Sequence, residues 1–156
     1  MSAGEAITAE GLEALKAELD RLEKEGRQTI AQRISAAREH GDLKENAEYH
    51  AAKEDQAHLE TKIARLTERL RNASVVEADA DAGVVVFGAT VEVVDEQSGR
   101  TASYTIVGPT EADLKAGKLS SESPVAQALM GAAPGATVQV TTPGGARRLR
   151  VERLGA

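Results

Sequence analysis

Apolar positions in the first half of the chain return every three or four residues. Leu12, Leu15, Leu19 and Leu22 step by three, four and three, and Gly26, Ile30, Ile34 and Ala37 continue the seam by fours and then a three. The run of fours is a stutter, which locally unwinds a left-handed supercoil. Tyr49, Ala52, Gln56, Leu59, Ile63, Leu66, Leu70 and Ala73 then alternate three and four without a break. Two matched stripes of this period predict an antiparallel coiled-coil hairpin. Thr8, just ahead of the first apolar position, reads as its start signal. The arms, Leu12 to His40 and Glu45 to Ala73, each hold 29 residues, about 44 Å at the helical rise. A hairpin this long has little core away from its seam, and its far end needs a task to justify the length.

The grammar changes at V-V-E-A-D-A-D-A-G, a polar stretch suited to a linker. V-V-V-F-G-A-T-V-E-V-V then reads as two short strands, or one strand kinked at Gly88, and T-A-S-Y-T-I-V-G follows the turn signal E-Q-S-G-R. S-P-V-A-Q-A-L-M-G fits a short helix, with Ser123 as N-cap, Pro124 at the first helical position and Gly131 just past the end. A-T-V-Q-V-T-T and A-R-R-L-R-V-E-R-L flank P-G-G as a last hairpin. The fold class is therefore α+β, a helical hairpin over residues 1–76 with its tip near 39–48. A linker over 77–83 leads to a small antiparallel-sheet domain with one helix over 84–156.

Composition narrows the chemistry. Aromatics are 2% of the chain, with a single Phe, so a large aromatic-lined pocket is not expected. The absence of cysteine excludes disulfides and thiolate metal sites. No run of about 18 apolar residues occurs, and the start M-S-A-G-E-A-I-T lacks the basic and apolar regions of a signal peptide, so a cytoplasmic protein is expected. A net charge of −6 argues against general binding to a nucleic-acid backbone, which needs a basic face. It leaves room for a local basic patch beside a nucleic acid held by a partner.

The chemistry-bearing stretch is E-H-G-D-L-K-E-N-A-E-Y, Glu39 to Tyr49, with four carboxylates at the turn between the arms. Asp42 and Glu45 form D-x-x-E, which a capping box explains, with Gly41 supplying the chain reversal. The same two carboxylates on a tip are hard oxygen donors suited to Mg²⁺, which takes few protein ligands and keeps several waters. Two carboxylates alone bind it poorly, and a second macromolecule would have to complete the shell. His40, His50 and His58 lack metal-ligand spacing.

Ala37 to Gln56, A-R-E-H-G-D-L-K-E-N-A-E-Y-H-A-A-K-E-D-Q, resembles the tip of the GreA/GreB family of bacterial transcript cleavage factors. The likeness continues in order through F-G-A-T-V-E-V, Y-T-I-V-G, S-P-V-A-Q-A-L-M-G and T-P-G-G, over nearly the whole chain. It implies an FKBP-like C-terminal domain that binds bacterial RNA polymerase. The same likeness implies a coiled coil that enters the polymerase secondary channel and meets the extruded 3′ end of backtracked nascent RNA. On this reading Asp42 and Glu45 help hold a second Mg²⁺ and its attacking water, in a two-metal hydrolysis that remains the polymerase's own reaction. The protein is then an accessory factor and not an enzyme, with Mg²⁺ shared in the polymerase active site and none bound stably by the free chain.

Arg38 and Lys53 match a family basic patch that contacts RNA; as plain surface residues they would instead pair with Glu39, Glu54 or Asp55. Ser120, Ser123 and Pro124 match the polymerase-binding region, although a helix start explains the last two. Tyr49 reads as hairpin core in preference to an RNA-stacking platform. Three rivals remain: a Gre-fold regulator that occupies the channel without promoting cleavage, a prolyl isomerase, and a coiled-coil adaptor whose tip is only a cap. The isomerase is disfavoured because its pocket is aromatic and this domain offers only Phe87 and Tyr104.

Overall fold

The computed structural model describes residues 4–155 and divides them into two compact units. Leu12–Ala73 form one, and the residues up to Gly11 join Ser74 onward in the other.

In the hairpin unit, α1 (Ala9–Arg21) runs through a π-helical turn, Leu22–Gly26, into α2 (Arg27–Arg38), and α3 (Ala47–Asn72) returns. The wider turn falls where the seam steps by fours. A π-turn adds a residue to the helical repeat and absorbs the same mismatch in register that a stutter creates. Every expected seam position from Leu12 to Ala73 is buried or half-buried, and Leu15, Leu19, Leu22, Ala37, Ala52, Ile63 and Leu66 are buried. Gly26 faces Leu59, whose Cδ1 would lie 3.2 Å from an added Cβ. Arg27–Glu60 at 2.9 Å and Arg33–Asp55 at 2.8 Å cross between the helices. These pairs are half-exposed and set register more than stability.

The other unit holds a five-stranded sheet. Its strands are β3 (Thr90–Asp95), β4 (Thr101–Val107), β5 (Lys118–Ser120), β6 (Thr137–Thr142) and β7 (Gly145–Leu154), in the order β5-β4-β3-β7-β6. Pairing is antiparallel except for β4 with β5, where Ile106 lies opposite Leu119 in parallel register. Alternate residues Val91, Val93, Val140, Leu149 and Val151 point into the core, where they meet Ala126 and Leu129 of α4 (Pro124–Leu129). Ser123 caps α4 by accepting the Ala126 N–H at 3.2 Å, as its sequence predicts.

Three features depart from expectation. Val84–Phe87 is not a strand: Val85 is buried, and its backbone bonds Ala132 and Gly131 in place of a sheet neighbour. β5 escapes the sequence because three residues cannot display a period, and its partner is a parallel strand. The N-terminal residues, grouped by sequence with the hairpin, contain β1 (Glu5–Ile7), which pairs with β2 (Ala73–Val75). They fall in the sheet-containing unit because Glu111 clasps them. Its carboxylate accepts Thr8 N–H at 3.1 Å, the Thr8 hydroxyl, and Gly108 N–H at 2.9 Å. Thr8 Oγ1 in turn accepts Gly11 N–H at 3.0 Å, which starts α1. Phe87 and Tyr104, the aromatics of this unit, pack against the core. No helix among the described residues is long and apolar enough to cross a membrane.

Candidate functional site

The hairpin turn is built by four local devices. Gly41 adopts φ +107° with nothing near its absent side chain, so backbone freedom alone is used there. Asp42 closes an Asx turn by accepting Lys44 N–H on Oδ1 at 3.0 Å. Lys44 C=O accepts from His50 Nε2 at 3.2 Å, a bond that requires the proton on that nitrogen. Asn46, with β-region dihedrals, caps α3 by accepting Tyr49 N–H on Oδ1 at 3.1 Å.

The cap therefore corrects the expectation from sequence. D-x-x-E looked like a capping box at Asp42 and Glu45, but α3 begins at Ala47 and its N-cap is Asn46. The reason is local: the Asx turn engages Asp42 with Lys44, and Glu45 lies in the turn ahead of the helix. Capping does not account for either carboxylate. Glu45 makes no side-chain hydrogen bond or ion pair among the described residues, and Asp42 keeps its second oxygen free. Both are exposed. Together with His40, Asn46, Ala47 and Glu48 they line an open concavity of ≈ 430 Å³. His40 Nε2 stands 3.6 Å from Glu48 on its wall.

Among the described residues no group of three or more His, Cys, Asp or Glu is placed to hold a metal. The donor set is two carboxylates on a solvated surface, too few to close an octahedral shell alone and of the right hardness for Mg²⁺. It fits a magnesium ion whose other ligands come from a second macromolecule.

Arg38 and Lys53 do not pair with the acids that would have neutralised them. Asp55 is taken by Arg33 and Glu54 lies 3.7 Å from His58. Lys53 Nζ donates to Gln56 at 2.9 Å, and the Arg38 guanidinium sits 6.0 Å from the Tyr49 ring centroid. Tyr49 is half-buried, with its ring edge-on to His50 at 5.7 Å. Because Tyr49 and Lys53 are four residues apart on α3 they share a face. Arg38, Tyr49 and Lys53 thus form a cationic strip with an aromatic at its centre.

In the sheet-containing unit, Ser120 and Ser123 are half-buried and their hydroxyls are engaged locally, Ser120 by Glu122 N–H at 3.2 Å and Ser123 by the helix cap. Pro124 is exposed. Leu114 and Met130, which the sequence reading did not single out, are exposed apolar side chains of the same unit. Asn46 was also missed as a structural anchor. Its signal was present as N-x-x-Y ahead of an apolar stripe, masked by the better-looking D-x-x-E.

Fold and site define a class: a helical hairpin with an acid-bearing turn, joined in one chain to a mainly antiparallel-sheet domain. Comparison with known proteins gives that class its family. Residues 5–75 match the family description "Transcription elongation factor, N-terminal", and residues 80–154 match "Transcription elongation factor, GreA/GreB, C-term". The transcription elongation factor GreA of Alkalilimnicola ehrlichii is 50% identical over 147 residues, covering 93% of each chain. That of Anaeromyxobacter sp. strain K is 49% identical over 149 residues, 95% of this chain and 90% of the relative. The crystal structure of GreA factor homolog 1 of Thermus thermophilus aligns over 98% of this chain and 99% of its own, at 30% identity and a TM-score of 0.43. The chain belongs to the GreA/GreB family of transcription elongation factors.

Proposed function

We propose that this elongation factor binds bacterial RNA polymerase, passes its helical hairpin into the secondary channel and stimulates cleavage of backtracked nascent RNA. The observation that carries the proposal is the tip: two exposed carboxylates, Asp42 and Glu45, line one concavity without serving as the helix cap. A turn that only reversed the chain would need Gly41, one Asp42 oxygen for the Asx turn and Asn46, leaving Glu45 and the second Asp42 oxygen without a task. The factor is an accessory, and the reacting phosphodiester and most of the catalytic groups belong to the polymerase.

Asp42 and Glu45, together with groups of the polymerase, would hold a magnesium ion, which would supply charge neutralisation at phosphorus and a water of lowered pKa. The protein's own residues do the remaining work. Asp42, fixed through Oδ1 to Lys44 N–H, presents its other oxygen, and Glu45 presents both of its own. Their carboxylate oxygens also orient the attacking water by accepting hydrogen bonds from it. Arg38 and Lys53, lacking acidic partners among the described residues, attract the phosphates of the extruded RNA, which positions the strand without reading its sequence. The segment of Ser120, Ser123 and Pro124 meets the polymerase rim; both hydroxyl oxygens accept local N–H bonds, and their O–H donors and the exposed Pro124 ring are the parts offered to a partner.

The test is a stalled, backtracked polymerase complex with labelled RNA and Mg²⁺. Wild type should release short 3′ fragments, while Asp42→Asn and Glu45→Gln bind the polymerase equally and release almost none. Binding without fragment release by wild type would make the protein a channel-occupying regulator. Full activity of both variants would return the tip to a structural role.

A further inference from the structure

Asn46 is one of two buried polar side chains among the described residues, with Thr8 the other, and it directly follows Glu45. Its cap to Tyr49 N–H needs only an acceptor, which Ser, Thr or Asp supply as well. What asparagine adds is a donor on a second atom, Nδ2. Nδ2 donates across the hairpin to the Ala37 carbonyl in the last turn of α2, beside the buried Ala37 methyl. One amide thus ties the end of the outgoing helix to the start of the returning one, with acceptor and donor on separate atoms, where a serine or threonine hydroxyl would have to serve both from a single oxygen. On the other side of Glu45, His50 holds the Lys44 carbonyl.

We propose that Asn46 is a positioning residue for the tip carboxylates, a role that rests on the tip acting in transcript cleavage. Between Asp42 and Asn46 the chain is pinned by the Asx turn at Asp42, by His50 on Lys44 and by both ends of the Asn46 amide. Glu45 sits between the last two pins, so its carboxylate inherits the placement of a buried amide although it is itself solvated. Releasing the bond to Ala37 leaves α3 capped but lets its first residues shift against α2. A ligand carboxylate displaced by about 1 Å loses roughly a hundredfold in rate, and the concentration of magnesium needed for cleavage rises.

Asn46→Ser and Asn46→Asp keep an acceptor for Tyr49 and lose the amide Nδ2 that reaches Ala37. In the free proteins, NMR should find the Tyr49 amide still protected from exchange, with backbone order lowered over residues 43–45. In backtracked polymerase complexes the maximal cleavage rate should fall about ten- to a hundredfold. The factor concentration giving half of that rate should stay within about twofold, and the magnesium requirement should rise. A purely structural role predicts a changed half-saturation or a lost fold in place of that split. Wild-type rates in both variants, or unchanged order at the tip, would overturn the proposal. Asp42→Asn run alongside separates the two levels. If it too cleaves like wild type, the cleavage reading fails and takes this inference with it. If Asp42→Asn is inactive while both Asn46 variants are normal, only the inference falls.

Discussion

At the scale of the residue, the tip shows how one wrong assignment changes the meaning of its neighbours. Asp42 and Glu45 matched a capping box in sequence, and capping would have explained them. The actual cap is Asn46, two residues ahead of Glu48, because an Asx turn engages Asp42 first. Sequence spacing cannot rank two candidate caps four residues apart; which one wins depends on where the turn leaves the chain. Gly41 was legible, since a reversal between helices needs a positive φ. Gly41→Ala should cost about 1–2 kcal/mol from its left-handed backbone, seen as lost NMR order at residues 41–45 with the hairpin seam intact. A second residue-scale prediction concerns Asp95. Its hydrogen bond from Arg147, then those from Gln97 and Ser98 N–H, hold its carboxyl below the ordinary 3.8. A depressed folded value gives stability that is present above the ordinary carboxyl range and lost as the pH falls through the lowered one. Thermal melts of wild type and Asp95→Asn should therefore differ near neutrality and converge only in acid, once the pH has fallen through the lowered value.

Among the elements, the long helices were the most readable because their signal repeats. Each half-buried position from Leu22 to Ala37 and from Tyr49 to Leu59 falls on the predicted seam, and the stutter marked the π-turn. The short strands β1, β2 and β5 were unreadable for the opposite reason: three residues carry no period, and each pairs with a strand distant in sequence or parallel to it. The seam yields contrasting tests. Ile63→Ala, at a buried position, should destabilise the hairpin by about 2–4 kcal/mol, measured by far-UV circular dichroism on heating. Gly26→Ala adds a methyl 3.2 Å from the flexible end of Leu59. Its gain in helix propensity of about 1 kcal/mol should leave the hairpin no less stable. Gly26→Ile overpacks the same spot and should cost about 1–3 kcal/mol. Equal melting temperatures for the two Gly26 variants would contradict a packed seam at the π-turn.

Over the whole molecule, the division into two units was visible as a change of period near residue 76, but the allegiance of the first residues was not. A glutamate more than a hundred positions away decides it. Glu111→Ala removes three acceptor contacts and leaves Thr8 with unmet donors, at about 1–3 kcal/mol; faster exchange of the Thr8 and Gly108 amides would report it. Gly11→Ala should have the same effect by collision, since its Cβ would overlap the Glu111 side chain. The proposed function is at this scale a claim about reach, that the tip acts where the polymerase holds the RNA 3′ end. The chain contains no cysteine, so one introduced at exposed Leu43, between the turn glycine and Glu45, is a unique attachment point. The decisive measurement is a photo-crosslink from Leu43→Cys in a backtracked complex carrying RNA labelled near its 3′ end. The account predicts transfer of label from the extruded 3′ segment, lost when the complex is returned to its forward register. Crosslinks confined to the polymerase surface, with no labelled RNA captured by bound factor, would contradict it.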